Sequence, residues 1–161
     1  MNAANQDDFQ STISRLWQRL GMQPPRFVEP GRVQLRVEGI GLDLLDTGRG
    51  ILNIEGVVDG LASDPLVRTR QTRRILETNL GMLLTNESGV YLKAQPSGQT
   101  ALVVRASYSY QGTLDRLVKK IEDTLQTMEY YLAEFKSTAA LPVRRGASAP
   151  ASGEAAVIFR P

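Results

Sequence analysis

An α+β domain is what this chain predicts, with helices packed on a twisted antiparallel sheet in the order α-β-β-β-α-β-β-α. Three observations carry that expectation. Residues 8–21 and 114–135 place apolar side chains at helical spacing, and residues 32–58 and 89–108 alternate as strands do. The turns between consecutive strands are short, which suits antiparallel neighbours and leaves no room for parallel crossovers.

The elements follow in order. Phe9, Ile13, Leu16, Trp17 and Leu20 form one stripe over residues 8–21, and Gly21 is a plausible stop. "MQPPRFVEPG" holds three prolines and predicts an extended connector. "RVQLRVE" then puts Val33, Leu35 and Val37 on one face, and Ile40, Leu42 and Leu44 continue the alternation up to the turn "TGRG". In "ILNIEGVV", Leu52 and Ile54 oppose Asn53 and Glu55, which completes a three-stranded meander. The second helix opens on Ser63 or Asp64 as cap with Pro65 in its first turn. Its apolar side reads Ile75, Leu76, Leu80, Leu83 and Leu84, interrupted by Gly81, a residue that costs about 1 kcal/mol relative to Ala inside a helix. "GVYLKA" and "TALVVRASY" form a hairpin around "QPSGQ". The last helix is capped by Gly112 or Thr113 and carries Leu114, Val118, Ile121, Leu125, Met128, Leu132 and Phe135 at alternating spacings of four and three, a seam suited to lying across the sheet.

Residues 1–136 therefore read as the folded domain. Residues 137–161, rich in Ala, Ser, Pro and Gly with a basic balance, read as a flexible tail in which only the Val157–Phe159 run is strand-like.

Composition narrows the chemistry. With no Cys and no His among 161 residues, disulfides, thiolate nucleophiles, the usual zinc sites and Ser–His–Asp catalysis are excluded. Asp43, Asp46 and Glu55, or Tyr108, Tyr110, Tyr130 and Tyr131, are the groups left for acid–base work, and none lies in a catalytic motif. No catalysis and no cofactor or metal is the expectation. The polar start "MNAANQDDFQ" and the lack of an apolar run of about 18 residues predict a cytoplasmic chain without a membrane span. The net charge of +2 comes from the tail: residues 136–161 hold four basic residues and one acid, leaving 15 basic and 16 acidic side chains elsewhere. That distribution argues against a phosphate-tracking groove, although Arg68, Arg70, Arg73 and Arg74 cluster on one helix and keep nucleic acid as a lesser alternative.

With the proline connector, the Asp-Pro helix start and "ILETNLGMLLTNESGVYLKAQPSGQTALVV", the chain resembles class I type III secretion chaperones, the CesT/SycE (Tir chaperone) family. The matching positions are Leu80, Leu83, Leu84, Asn86, Gly89, Leu92 and Leu102, within a resemblance that covers residues 8–135. Members are usually acidic and lack a long tail, and this chain departs on both points. The resemblance implies a cofactor-free cytoplasmic homodimer that holds the N-terminal segment of a secreted effector in a non-globular form and hands it to the export apparatus, where the secretion ATPase is a further partner. It places effector contacts on the first helix and the meander, at Phe9, Ile13, Leu16, Trp17, Leu20, Val33, Leu35, Val37, Leu42, Leu44 and Ile54, with Arg19, Arg32 and Arg36 at the rim. It places the dimer interface at Leu76, Leu80, Gly81, Leu83, Leu102 and Val104. Each apolar candidate also reads as ordinary core. A regulatory protein-interaction module on the same fold is the alternative.

Overall fold

A computed structural model describes residues 3–27, 29–82 and 87–140. Its elements are α1 (Ala3–Arg19), β1 (Arg32–Val37), β2 (Ile40–Asp46), β3 (Ile51–Gly60), α2 (Pro65–Met82), β4 (Gly89–Ala94), β5 (Thr100–Ser109) and α3 (Leu114–Ala140). The predicted order holds throughout. Leu83, Leu84, Asn86 and the Val157–Phe159 run lie outside the described residues.

Local chemistry explains the boundaries. At the end of α1, Gly21 takes a φ of 66° and Met22 N donates back to the Trp17 carbonyl at 3.0 Å, closing the last turn. At the start of α2, Asp64 Oδ1 accepts from the amides of Leu66 and Val67 at 2.9 and 3.0 Å, with Pro65 at the position that needs no donor. Thr113 caps α3, its Oγ1 accepting from Arg116 N at 3.3 Å. Between β1 and β2 the loop is two residues, Glu38 and Gly39, both at positive φ, which matches the twist of the flanking strands.

All pairings in the five-stranded sheet are antiparallel, in the order β1-β2-β3-β5-β4. Helices cover one face. Val33, Leu35, Leu42, Leu44, Leu52, Ile54, Leu102, Val104 and Tyr108 point into it and meet Phe9, Ile13 and Leu16 of α1 and Leu117, Ile121, Met128, Tyr131 and Phe135 of α3. The buried stripe of α3 is shifted from the predicted seam: Leu117, Thr124 and Tyr131 are fully buried, whereas Leu114, Val118, Leu125 and Leu132 flank them. An apolar pattern passes over Thr124, which is buried at no polar cost because its hydroxyl donates to the Lys120 carbonyl at 2.7 Å.

Gly56 sets how closely α3 can approach β3. A Cβ there would stand 2.0 Å from Met128 Sδ and 2.9 Å from a Leu42 methyl, so the strand has a hollow that the thioether fills. α2 is held at one end of this layer. Ile75 packs inward, Arg74 Nε donates to Glu134 of α3 at 2.9 Å, and Gln71 Oε1 accepts from Ala62 N at 2.8 Å.

The opposite sheet face is mostly polar and paired across strands, with Ile51 and Val57 exposed among the polar side chains. Arg32 meets Asp43 at 2.9 Å, Ser107 donates to Asn53 at 2.9 Å, and Arg105 Nε donates to Glu55 at 2.8 Å while its guanidinium lies 4.5 Å over the Tyr91 ring. Burial by itself would raise the Glu55 carboxyl, but the hydrogen bonds from Arg105 and Tyr91 and the charges of Arg105 and Lys93 outweigh it and hold it below the usual carboxylate range.

Two outcomes follow. Gly56→Ala should destabilise the fold by about 1–3 kcal/mol in urea unfolding, because Met128 must leave its seat; Ala at the exposed Gly41 is the control. For Glu55, a depressed folded pKa stabilises above the unfolded value and is lost as pH falls through the folded value. Glu55→Gln should therefore cost about 1–2 kcal/mol at pH 7, and the gap from the parent should close as pH drops below about 4.

Candidate protein-binding surfaces

Most of the apolar side chains predicted for an effector sit in the chain's own core. Phe9, Ile13, Leu16, Leu35, Leu44 and Ile54 are inaccessible, Val33 and Leu42 nearly so, and Trp17 retains 5 %. The reason is geometric. The stripe of α1 and the inward side chains of β1–β3 belong to one buried apolar cluster, so among the described residues they cover one another instead of a partner. Val37 is half-buried, and Leu20 stays accessible because it lies beyond the last turn of α1.

An accessible apolar patch does exist beside that position. Leu20, Met22 and Phe27 are each about two-fifths exposed, and Phe27 is fixed by an edge-to-face contact with Phe9 at 5.9 Å. Sequence pattern does not single out Met22 and Phe27, because a proline-rich connector has no periodicity to sort inside from outside. The connector that carries Met22 and Phe27 leads into β1, an outer strand of the described sheet whose far side no other named strand pairs. Unpaired strand groups next to apolar side chains are what an extended peptide needs for strand addition. Of the predicted rim arginines, Arg19 pairs with Asp115 at 3.5 Å and Arg32 with Asp43 and Glu29, whereas Arg36 is exposed with no ion pair among the described residues.

The second surface lies on α2 and the opposite edge strand, β4. Leu76 and Leu80 are 59 % and 70 % exposed, one turn apart, and Leu92 of β4 is 42 % exposed beside them. Together with Leu61, Thr72 and Arg73 they line an open hollow of about 600 Å³. Ile75 turns inward and anchors the helix, so its neighbour Leu76 must turn out. Among the other predicted dimer positions, Leu102 and Val104 are core residues and Leu83 lies outside the described residues. Gly81 is exposed near the end of α2, and a Cβ added there would meet nothing within 4 Å, so crowding within the chain does not require a glycine.

Among the described residues, the carboxylates considered for acid–base work have other engagements. Asp43 and Glu55 face each other across β2 and β3, but each is bound to an arginine, and Asp46 accepts the Tyr110 hydroxyl at 2.8 Å. The Tyr131 hydroxyl, pushed up to about 12 by burial, is enclosed against α2 without a partner and faces no solvent-filled site. Among the described residues no acidic or ligating cluster suits a metal ion, and no helix is long and apolar enough to cross a membrane. The four arginines of α2 do not make a continuous cationic stripe, since Arg73 pairs with Glu77 and Arg74 with Glu134, both at 2.9 Å.

No protein-family model and no curated protein sequence matches the chain. Solved structures do share its fold. A chain of the HopA1–SchA chaperone–effector complex superposes with a TM-score of 0.65 at 19 % identity, over 83 % of this chain and 98 % of that one. The complex of the Yersinia pestis type III secretion chaperone SycH with a YscM2 fragment gives 0.57 at 13 % identity, over 76 % and 98 %. YbjN, a putative transcription regulator from E. coli, gives 0.57 at 17 % identity, over 80 % and 92 %. The fold of this chain is thus the one found in type III secretion chaperone–effector complexes.

Proposed function

We propose that this protein is a type III secretion chaperone that works as a homodimer, binds the N-terminal segment of an effector in extended form and presents it for export, with the secretion ATPase as the receiving component. The observation that carries the reading is a coincidence of fold and surface. The architecture seen in a chaperone–effector complex here keeps two separate groups of accessible apolar side chains, one on the connector that leads into the outer strand β1 and one on α2 and the outer strand β4. Leu20, Met22 and Phe27 with the β1 edge form the client site. Leu76, Leu80 and Leu92 form the site for a second copy.

Magnitudes suit both roles. Covering the exposed parts of the three leucines contributes roughly 3–5 kcal/mol per protomer, and symmetric pairing uses the face twice. Client binding at β1 takes main-chain hydrogen bonds for affinity and the apolar patch for selectivity, which yields a reversible complex once chain ordering has been offset. No step is catalytic.

The likeness to YbjN favours a second reading, a regulator that binds a protein partner through the same surfaces. Co-expression with effectors encoded near this gene separates the two: a chaperone solubilises and protects an effector N-terminus, and a regulator does not.

Two outcomes test the surfaces. Leu76→Asp with Leu80→Asp should weaken self-association at least about 100-fold by light scattering, with the circular dichroism spectrum unchanged, because both side chains are already in water in the single chain. Leu20→Asp with Phe27→Asp should abolish effector pull-down while leaving the dimer intact; retained capture would remove the client site from this patch.

A further inference from the structure

We propose that α2 is a detachable layer of the domain: it comes away from α3 while the sheet, α1 and α3 stay folded, and only its closed position forms the site for a second copy. This rests on the reading of the α2–β4 face as the dimer site. It deepens that reading by naming what regulates the site.

Little holds α2 in place. Of its 18 residues, Gln71 and Ile75 are buried and Met82 packs partly against the core. The bond from Ala62 N to Gln71 ties α2 to the chain just before it and not to α3. The Arg74–Glu134 pair does reach α3, but Arg74 is exposed, and ion pairs open to water contribute little. The helix is also weak by composition. Val67, Thr69, Thr72, Ile75 and Thr78 are β-branched, Gly81 lies within it, and its last turn carries no basic residue. Docking, more than propensity, keeps it where it is.

Its flanks are fastened better. Leu61 is a core residue whose amide donates to the Thr100 carbonyl at 2.7 Å and whose carbonyl accepts from Gln99 Nε2 at 3.2 Å. On the other side, the buried hydroxyls of Ser88 and Thr127 meet at 3.1 Å, and Glu87 pairs with Lys120 of α3. These contacts bound the unit that opens.

Beneath α2 lies a group that favours opening. Tyr131 is buried, and its hydroxyl has no hydrogen-bond partner. Tyr131 lines a crevice of about 10 Å³ that Gln71, Ile75 and Thr78 close from the side of α2. A hydroxyl enclosed without a partner has lost its hydration and gained no bond in return, so closure is opposed and lifting α2 restores the water.

Opening acts directly on pairing. Thr72, Arg73, Leu76 and Leu80 line the hollow from α2, whereas Leu92 and Thr100 line it from the sheet. Moving α2 separates these two walls. A second copy therefore binds the closed form alone and, by linkage, holds α2 shut.

Hydrogen exchange of the full chain, read by mass spectrometry, tests this. In dilute solution, where the chain is single, amides of α2 should exchange at least about 100-fold faster than those of β3. Tyr131→Phe keeps the ring and should slow α2 exchange about tenfold. Concentrating the protein until it dimerises should slow it as well. Protection of α2 equal to that of β3 overturns the proposal, and so does a Y131F variant in which α2 exchange is unchanged or faster. Dimers in which α2 exchanges as fast as in the single chain overturn the coupling to pairing. If the chain stays monomeric at every concentration, the dimer reading fails, and the two measurements on the single chain alone decide whether α2 opens.

Discussion

One packing constraint organises this protein: a single sheet face must accept two helices, and α3 lies low enough on β3 only because Gly56 has no side chain where Met128 sits. From that seat the rest follows. α3 spans β3 and β5 at the centre of the sheet, α1 joins the same buried cluster as the meander, and α2 is left at the margin with Ile75 and Gln71 buried and Met82 partly so. A helix with so narrow a buried face must expose its remaining apolar residues. Leu76 and Leu80 are a consequence of where α2 can stand.

The same constraint separates core from binding surface. Burial of α1 against the meander consumes every apolar side chain the two elements direct at each other. Among the described residues, accessible large apolar side chains then cluster where the chain leaves regular structure, at Leu20, Met22 and Phe27, and on the outward side of α2 and β4, with Ile51, Val57, Leu66 and Tyr130 exposed apart from these clusters. The second of these clusters includes Leu92 of the outer strand β4. The open sheet face is tied together by Arg32–Asp43, Arg105–Glu55 and the Arg105–Tyr91 stack, with Ile51 and Val57 exposed among these polar pairs.

Much of this architecture is legible in the residues because the signals are local. Gly21, Asp64–Pro65 and Thr113 mark helix ends through hydrogen bonds that close within a few residues, and strict alternation identifies strands whose faces differ in solvation. The apolar spacing of α3 points one step away from the true centre of its buried stripe. Thr124 and Tyr131 are buried on account of their partners and neighbours, which an apolar pattern does not count.

The sequence by itself determined the order of elements, the stop of α1 at Gly21 and the caps that start α2 and α3, the antiparallel pairing of the strands and the absence of His- and Cys-based chemistry. All of these depend on residue type and on interactions over short stretches of chain. By contrast, α1 begins earlier, at Ala3, and α3 runs further, to Ala140, than apolar spacing indicates. Tertiary structure alone decided which leucines are core and which are surface. Leu16 and Leu80 are the same letter on equally plausible helical stripes, yet one is sealed by the meander and the other faces open space. Burial is a property of what lies opposite a side chain, and only the folded arrangement specifies what lies opposite.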